Sequence, residues 1–168
     1  MRVTEIDKLS KTYDVRKLSE ADMEMLYAFC SGNPKFYDYC GMDVSVELIE
    51  RDMKEAPPGI PMEQKHYIGF FENEKLVAIM DLIDGYPCNS CAYIGLFMMN
   101  SEMQGRGIGS SIVLEVFDYL KEQGMESCRL AINKFNPQSN HFWRKHGFEI
   151  IKEMEIEVGP VFLAEKVL

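Results

Sequence analysis

A single α/β domain of seven strands and four helices is the fold this sequence predicts, and three observations carry it. Short apolar or alternating runs are interleaved with longer stretches whose apolar residues recur at three and four positions. Between residues 93 and 120 an apolar run, a glycine turn and an amphipathic segment follow one another without a linker. The 168 residues show no repeat, low-complexity tract or domain linker, and that length suits one domain with a proper core.

The elements follow in order. Residues 1–11 are polar and are expected as a loose leader. Thr12 to Leu18 alternates weakly, as a strand does. Ser19, with Asp22 three positions on, caps a helix that carries Met23, Leu26, Tyr27 and Cys30 on one face. Gly32-Asn33-Pro34 ends it. Phe36-Tyr37-Asp38-Tyr39-Cys40 is an aromatic cluster, followed by a second helix from about Ser45 to Glu55 and a stiff loop, Pro57-Pro58-Gly59-Ile60-Pro61. His66–Phe71 and Lys75–Asp84 read as strands joined by a tight hairpin at Glu72-Asn73-Glu74. The loop from Gly85 to Ser90 returns the chain to Tyr93-Ile94-Gly95-Leu96-Phe97-Met98-Met99, a buried strand antiparallel to its predecessor. Ile108, Ile112, Val113, Val116, Phe117 and Leu120 form one face of the next helix. A strand at Ser127–Ile132 follows, then a helix with Asn136 as cap, Pro137 in its first turn and Gly147 at its end. Two terminal strands, about 149–158 and 161–167, turn at Gly159-Pro160.

The turn Gln104-Gly105-Arg106-Gly107-Ile108-Gly109 is the most informative segment. The helix opens inside it, so its first amides lack intrahelical partners and sit at the positive end of the macrodipole. Three glycines let the backbone bend tightly and approach a ligand, which makes the turn a candidate pyrophosphate cradle. A nucleotide-triphosphate loop would end in Gly-Lys-Ser/Thr, and this one does not. A dinucleotide fingerprint would have glycine where Ser110 stands and an acid near Asn133. The pattern Gln/Arg-x-x-Gly-x-Gly/Ala does fit, at Gln104, Gly107 and Gly109. On these residues the sequence resembles the GNAT superfamily of acetyl-coenzyme A-dependent N-acyltransferases. A second, independent stretch, Asn136 to Phe148, resembles that superfamily's Asn-x-x-Ala-x-x-Phe-Tyr-x-x-x-Gly-Phe signature.

The resemblance implies a mixed, mostly antiparallel sheet that splays between the fourth and fifth strands to admit the pantetheine arm. It divides the domain into an acceptor-side half (12–100), a CoA-binding core (101–148) and a C-terminal hairpin (149–168). Acetyl-CoA is the implied acyl donor, with no metal. Its pyrophosphate would lie on the amides of Gln104, Gly105, Arg106, Gly107, Ile108, Gly109 and Ser110. Phe97, Met98 and Met99 would meet pantetheine and thioester through their backbone, with Asn136, Ser139 and Trp143 alongside. Asn136 serves equally as a helix cap.

Catalytic groups are harder to assign. The position where some relatives carry a glutamate base is Tyr93, whose ordinary pKa near ~10 makes a poor base. If the hairpin pairs Ile83 with Tyr93, Asp81 faces Gly95; a slip of one residue brings Asp84 beside Tyr93. Asp81 and Tyr93 are therefore the candidate catalytic residues. Asp81 interrupts an apolar run, which also suits a structurally satisfied carboxylate. Trp143 stands where many relatives have the tyrosine that protonates the leaving thiolate, and indole is no usable acid. Phe36, Tyr37 and Tyr39 are candidate acceptor-binding residues that could cage an ammonium, or else pack the first helices. His66, His141 and His146 are weak candidates, and Cys88-Asn89-Ser90-Cys91 reads as a loop coincidence because no second ligand pair exists.

Composition narrows the partners. The net charge is −9, which argues against nucleic acid. Residues 104–148 nevertheless hold six Lys/Arg against four Asp/Glu, so the acidity lies in the rest of the chain. That distribution tolerates anionic CoA and favours a cationic acceptor, a small-molecule amine or a protein amine. Five cysteines are expected as reduced thiols, and with no signal peptide or membrane span in the sequence the expected location is the cytoplasm. A homodimer through the terminal strands is consistent with relatives. The expected function is acetyl transfer to a primary amine by direct attack in a ternary complex. The alternatives are a non-catalytic acyl-CoA sensor, a transferase with another acyl donor, or a domain whose glycine turn binds nothing.

Overall fold

A computed structural model of the chain describes Val3 and residues 5–168. Seven strands form one sheet: β1 Asp14–Lys17, β2 Lys65–Glu72, β3 Lys75–Asp84, β4 Cys91–Met99, β5 Ser127–Asn133, β6 Glu149–Ile156 and β7 Gly159–Val167. Their order is β1-β2-β3-β4-β5-β7-β6. Every pairing is antiparallel except β4 with β5. That parallel ladder runs only from Cys91↔Ser127 to Ile94↔Leu130, and beyond it the strands part. The expected splay is therefore present, and a cleft opens beside residues 95–99.

The register of β4 carries a second feature. Ile83 pairs with Tyr93, the first of the two registers considered, but Asp81 pairs with Leu96 and Leu82 with Ile94. Gly95 is thus the extra residue of a β-bulge, which leaves a residue unpaired and re-aims its neighbours. The Asp81 side chain still fills the space that glycine leaves: a Cβ built on Gly95 would lie 2.7 Å from Asp81 Oδ2. Asp84 pairs with Ala92, so the slip that would set it beside Tyr93 does not occur.

Five α-helices flank the sheet: α1 Met23–Ser31, α2 Pro34–Tyr39, α3 Val46–Lys54, α4 Ile108–Glu122 and α5 Pro137–Lys145. Ser19 and Asp22 form the expected capping box ahead of α1, and Ser45 caps α3 by accepting from Leu48 N–H. The additional helix is α2, which Pro34 starts where an aromatic cluster alone was expected. Six residues are too few for a 3.6-residue pattern to show. The β2–β3 hairpin turns at Asn73 and Glu74, both left-handed. The terminal hairpin turns at Glu157 and Val158, two residues earlier than the Gly159-Pro160 position expected, because Ile156 already pairs with Gly159.

The described part of the leader is packed rather than loose; Met1, Arg2 and Thr4 lie outside the described residues. Leu9 is fully buried, and Glu115 of α4 accepts from Ser10, Lys11 and Thr12. One core joins β2–β5 to α4 through Ile68, Phe70, Met80, Ile112, Val116 and Leu120. A second lies under α1–α3, with Leu26, Phe29, Ile49, Met53, Ile79 and Met98. Cys88 and Cys91, expected as reduced thiols, are joined by a disulfide across the β3–β4 loop, while Cys30, Cys40 and Cys128 are free. No described helix is long and apolar enough to cross a membrane.

Candidate active site

The glycine turn is shaped as the start of α4 requires. Gly105 and Gly107 have φ of +77° and +76°, a region L side chains rarely adopt, and nothing stands within 4 Å of where their Cβ atoms would be. Gly107 is the N-cap of α4, and its carbonyl accepts from Ser111 N–H at 3.1 Å. The amides of Ile108, Gly109 and Ser110 precede that first helical bond, so they face outward as donors. Arg106 is exposed beside them. Ser110 Oγ lies 2.9 Å from His146 Nε2, tying the first turn of α4 to the end of α5. Burial, helped by Lys145 and Lys166, holds the His146 imidazole below its ordinary pKa. His146 is therefore a strut between helices, and His141 is exposed on α5.

A cavity of about 380 Å³ runs from the end of β4 to α5. It brings together Phe97, Met98, Met99 and Gln104 with Asn136, Ser139 and Trp143, while residues 105–110 do not line it. Gln104 Nε2 donates to Asn33 Oδ1 at 2.8 Å, and Asn33 Nδ2 donates to Met99 O at 3.1 Å. The α1–α2 junction thus clamps the end of β4 to the glycine turn. Trp143 is nearly buried among Phe97, Phe142 and Phe148, with ring centroids 4.8–5.8 Å away. Its position is that of a wall, in line with indole having no acid to offer. Asn136 Oδ1 accepts from Ser139 N–H at 3.1 Å, the capping role expected of it.

A second cavity, of about 450 Å³, lies under α2 and α3. It shares Phe36, Tyr39, Asn136 and Ser139 with the first, so the two meet where β4 leaves β5. Tyr37, Asp81 and Tyr93 line it. Asn133 Nδ2 donates to Tyr39 O at 2.9 Å, fastening α2 across the splay. Tyr93 packs edge-on to Tyr86 at 5.4 Å, and burial pushes its phenol up, away from use as a base. Tyr37 is buried and likewise pushed up by burial. Of the expected acceptor-site rings, Tyr37 belongs mainly to the core under α1–α3, and Phe36 and Tyr39 form the partition between cavities.

Sequence reading missed two residues here. Lys65 is 4% exposed, and its Nζ lies 2.7 Å from Asp81 Oδ2. Burial pushes the Asp81 carboxyl up against the downward pull of Lys65. Asp81 is consequently one half of a buried ion pair and not a lone carboxylate. The other missed residue is Asp52 on α3. Leu48, Arg51, Asp52 and Glu55 all line the cavity, at i, i+3, i+4 and i+7 of one helical stripe. That stripe was readable, since Ile49 and Met53 mark the buried face beside it. Burial pushes the Asp52 carboxyl up to about 6, with Asp81 adding to the shift and Arg51 and Lys65 opposing it.

Parting parallel strands beside a helix start with outward amides leave room for a ligand with an anionic head and a narrow apolar arm. Residues 26–148 match the family described as Acetyltransferase (GNAT) family, and the chain belongs to that family. It is an acyltransferase. A spermidine N(1)-acetyltransferase of Thermoplasma acidophilum is 26% identical over 163 residues, covering 91% of this chain and 96% of the relative. Among solved structures, an acetyltransferase from Thermus thermophilus superposes with a TM-score of 0.77 at 22% identity, over 94% of this chain and 97% of that one. The PaiA N-acetyltransferase of Thermoplasma acidophilum, solved with coenzyme A, superposes with a TM-score of 0.64 at 20% identity, covering 92% and 98%.

Proposed function

We propose that the protein moves an acetyl group from acetyl-CoA to a primary amine by direct attack in a ternary complex. The observation that carries this reading is the junction of the two cavities at Phe36, Tyr39, Asn136 and Ser139. Donor and acceptor can occupy the molecule together, each from its own side, and meet where β4 leaves β5. Holding both there supplies the positioning on which such a transfer depends.

The cavity along β4 takes the donor. Outward amides at Ile108, Gly109 and Ser110 hold the pyrophosphate, and Arg106 adds charge. The open backbone at Gly105 and Gly107, which any Cβ would obstruct, is the feature that fits this group. Backbone of residues 97–99, unpaired with β5, bonds the pantetheine, and an amide near Phe97 or Met98 faces the thioester oxygen as negative charge develops. Asn136 keeps its amide nitrogen for the same arm. Trp143 closes the wall, and the thiolate departs without a tyrosine acid, as a thiol pKa near ~8.5 allows.

The cavity under α2 and α3 takes the amine. The name of the spermidine-acetylating relative supports a cationic acceptor, as does the acidity of this half of the chain. The test is amine-dependent release of the CoA thiol, followed colorimetrically with polyamines, monoamines and short peptides as acceptors. Turnover that requires a primary amine is expected. Acetyl-CoA binding with no turnover on any amine would replace this reading with a binding-only one.

A further inference from the structure

We infer that Asp52 is the carboxylate that receives the acceptor's ammonium and takes up its proton. This inference rests on the N-acetyltransferase reading and adds to it the residue that activates the amine.

Charge accounting in the acceptor cavity selects Asp52. Three titratable groups line it from the sheet, Lys65 of β2, Asp81 of β3 and Tyr93 of β4. Lys65 and Asp81 neutralise one another at 2.7 Å, both buried. Tyr93 remains a neutral phenol. From α3, Arg51 is balanced by Glu55 and Glu157, each 3.8 Å from its guanidinium. Asp52 alone of the lining carboxylates makes no hydrogen bond or ion pair among the described residues. A carboxylate with no partner in a cavity is a cation's seat, and the acceptor supplies the cation.

Its surroundings suit a proton acceptor. Asp52 feels Arg51 and Glu55 on its own helix, Lys65 from β2 and Asp81 from β3. The neighbouring Tyr37, Cys40 and Tyr67 are all pushed up, with burial the first cause in each case, and stay neutral at physiological pH. Cys30 behaves likewise. A carboxyl raised to about 6 is ionised at pH 7 yet a far stronger base than an ordinary aspartate. Asp81 differs: its Oδ1 is also unpartnered among the described residues, but the Lys65 ammonium on Oδ2 already offsets its charge.

The ammonium gives one proton to the Asp52 carboxylate. The freed nitrogen lone pair bonds to the thioester carbonyl carbon, and the carbon–sulfur bond breaks with its pair going to sulfur. The nitrogen's remaining extra proton passes through water to the thiolate. Amide and CoA thiol leave, and Asp52 returns its proton to solvent.

The test is the pH profile of kcat/KM for the unsubstituted protein, Asp52→Asn and Asp52→Glu, with the acetyl-CoA dissociation constant measured on each. The unsubstituted protein should lose activity below pH about 6. Asp52→Asn should lower kcat/KM about 100-fold and abolish that acidic limb, with acetyl-CoA binding unchanged within about twofold. Asp52→Glu, with the carboxyl on a longer arm, should retain the limb with a shifted midpoint. An Asp52→Asn protein within about threefold of the unsubstituted rate, its acidic limb intact, overturns the inference and leaves the N-acetyltransferase reading standing. An unsubstituted protein that binds acetyl-CoA and acetylates no amine overturns both.

Discussion

Asp81 and Asp52 show how two carboxylates in one cavity come to differ. Asp81 is paired with Lys65 beneath Gly95, whereas Asp52 lines the same cavity from α3 without a partner among the described residues. Removing Asp81 strands a buried ammonium, so Asp81→Asn should cost about 3 kcal/mol of stability, measured by urea unfolding. The lost charge should also repel a cationic acceptor. Gly95→Ala would drive its methyl into the held Asp81 oxygen and should cost roughly 1–3 kcal/mol. Combining it with Asp81→Ala should recover the part due to that clash, a coupling a double-mutant cycle reads directly. Asp52 carries the opposite sign of pH dependence from a paired aspartate. Its folded pKa of about 6 lies above the unfolded value near ~3.9, so the folded state binds the extra proton between them. Its contribution is therefore most favourable below the unfolded pKa and declines as pH rises through the folded one. Asp52→Asn should accordingly gain roughly 2 kcal/mol relative to the unsubstituted chain between pH 4 and pH 7, by thermal unfolding at both. A more stable, less active variant is the combination expected where a charge is kept for chemistry.

At the scale of elements, the legible parts were those with local grammar. Gly105, Gly107 and the Ile108–Leu120 face located a strand, a turn and a helix because backbone conformation and periodicity both act within a few residues. The capping box at Ser19 and Asp22 and the cap at Asn136 were readable for the same reason. Helix α2 was not, being only six residues held by contacts from afar: Asn133 on Tyr39 O, and Asn33 bridging Gln104 and Met99. Lys65 was not legible because pairing with Asp81 depends on the β2–β3 register, nor was the bulge at Gly95, because an apolar run such as 93–99 has no alternation for an extra residue to break. The cradle gives the element-scale prediction. Gly107→Ala places an L side chain at φ +76°, costing about 1 kcal/mol, and should weaken acetyl-CoA at least tenfold in a calorimetric titration. The acceptor cavity, on the other side of the splay, should be unaffected.

For the whole molecule, the sheet's splay sets where the two cavities meet. Because β4 and β5 pair over four residues and then part, two cavities meet there, which the proposed function reads as a donor groove and an acceptor cavity. The cavity proposed for the donor is lined by elements from both halves of the chain, so the binding energy of acetyl-CoA should appear as global stability. Acetyl-CoA at a hundredfold excess over its dissociation constant adds about 2.7 kcal/mol, and Tm should rise by roughly 5–10 °C. The meeting of the cavities makes a stronger claim, that donor and acceptor are bound together when the acetyl group moves. Initial rates measured over a grid of acetyl-CoA and amine concentrations test it directly. Double-reciprocal lines that intersect are expected of a ternary complex. Parallel lines would mean that the acetyl group resides on the protein before the amine arrives, which contradicts it.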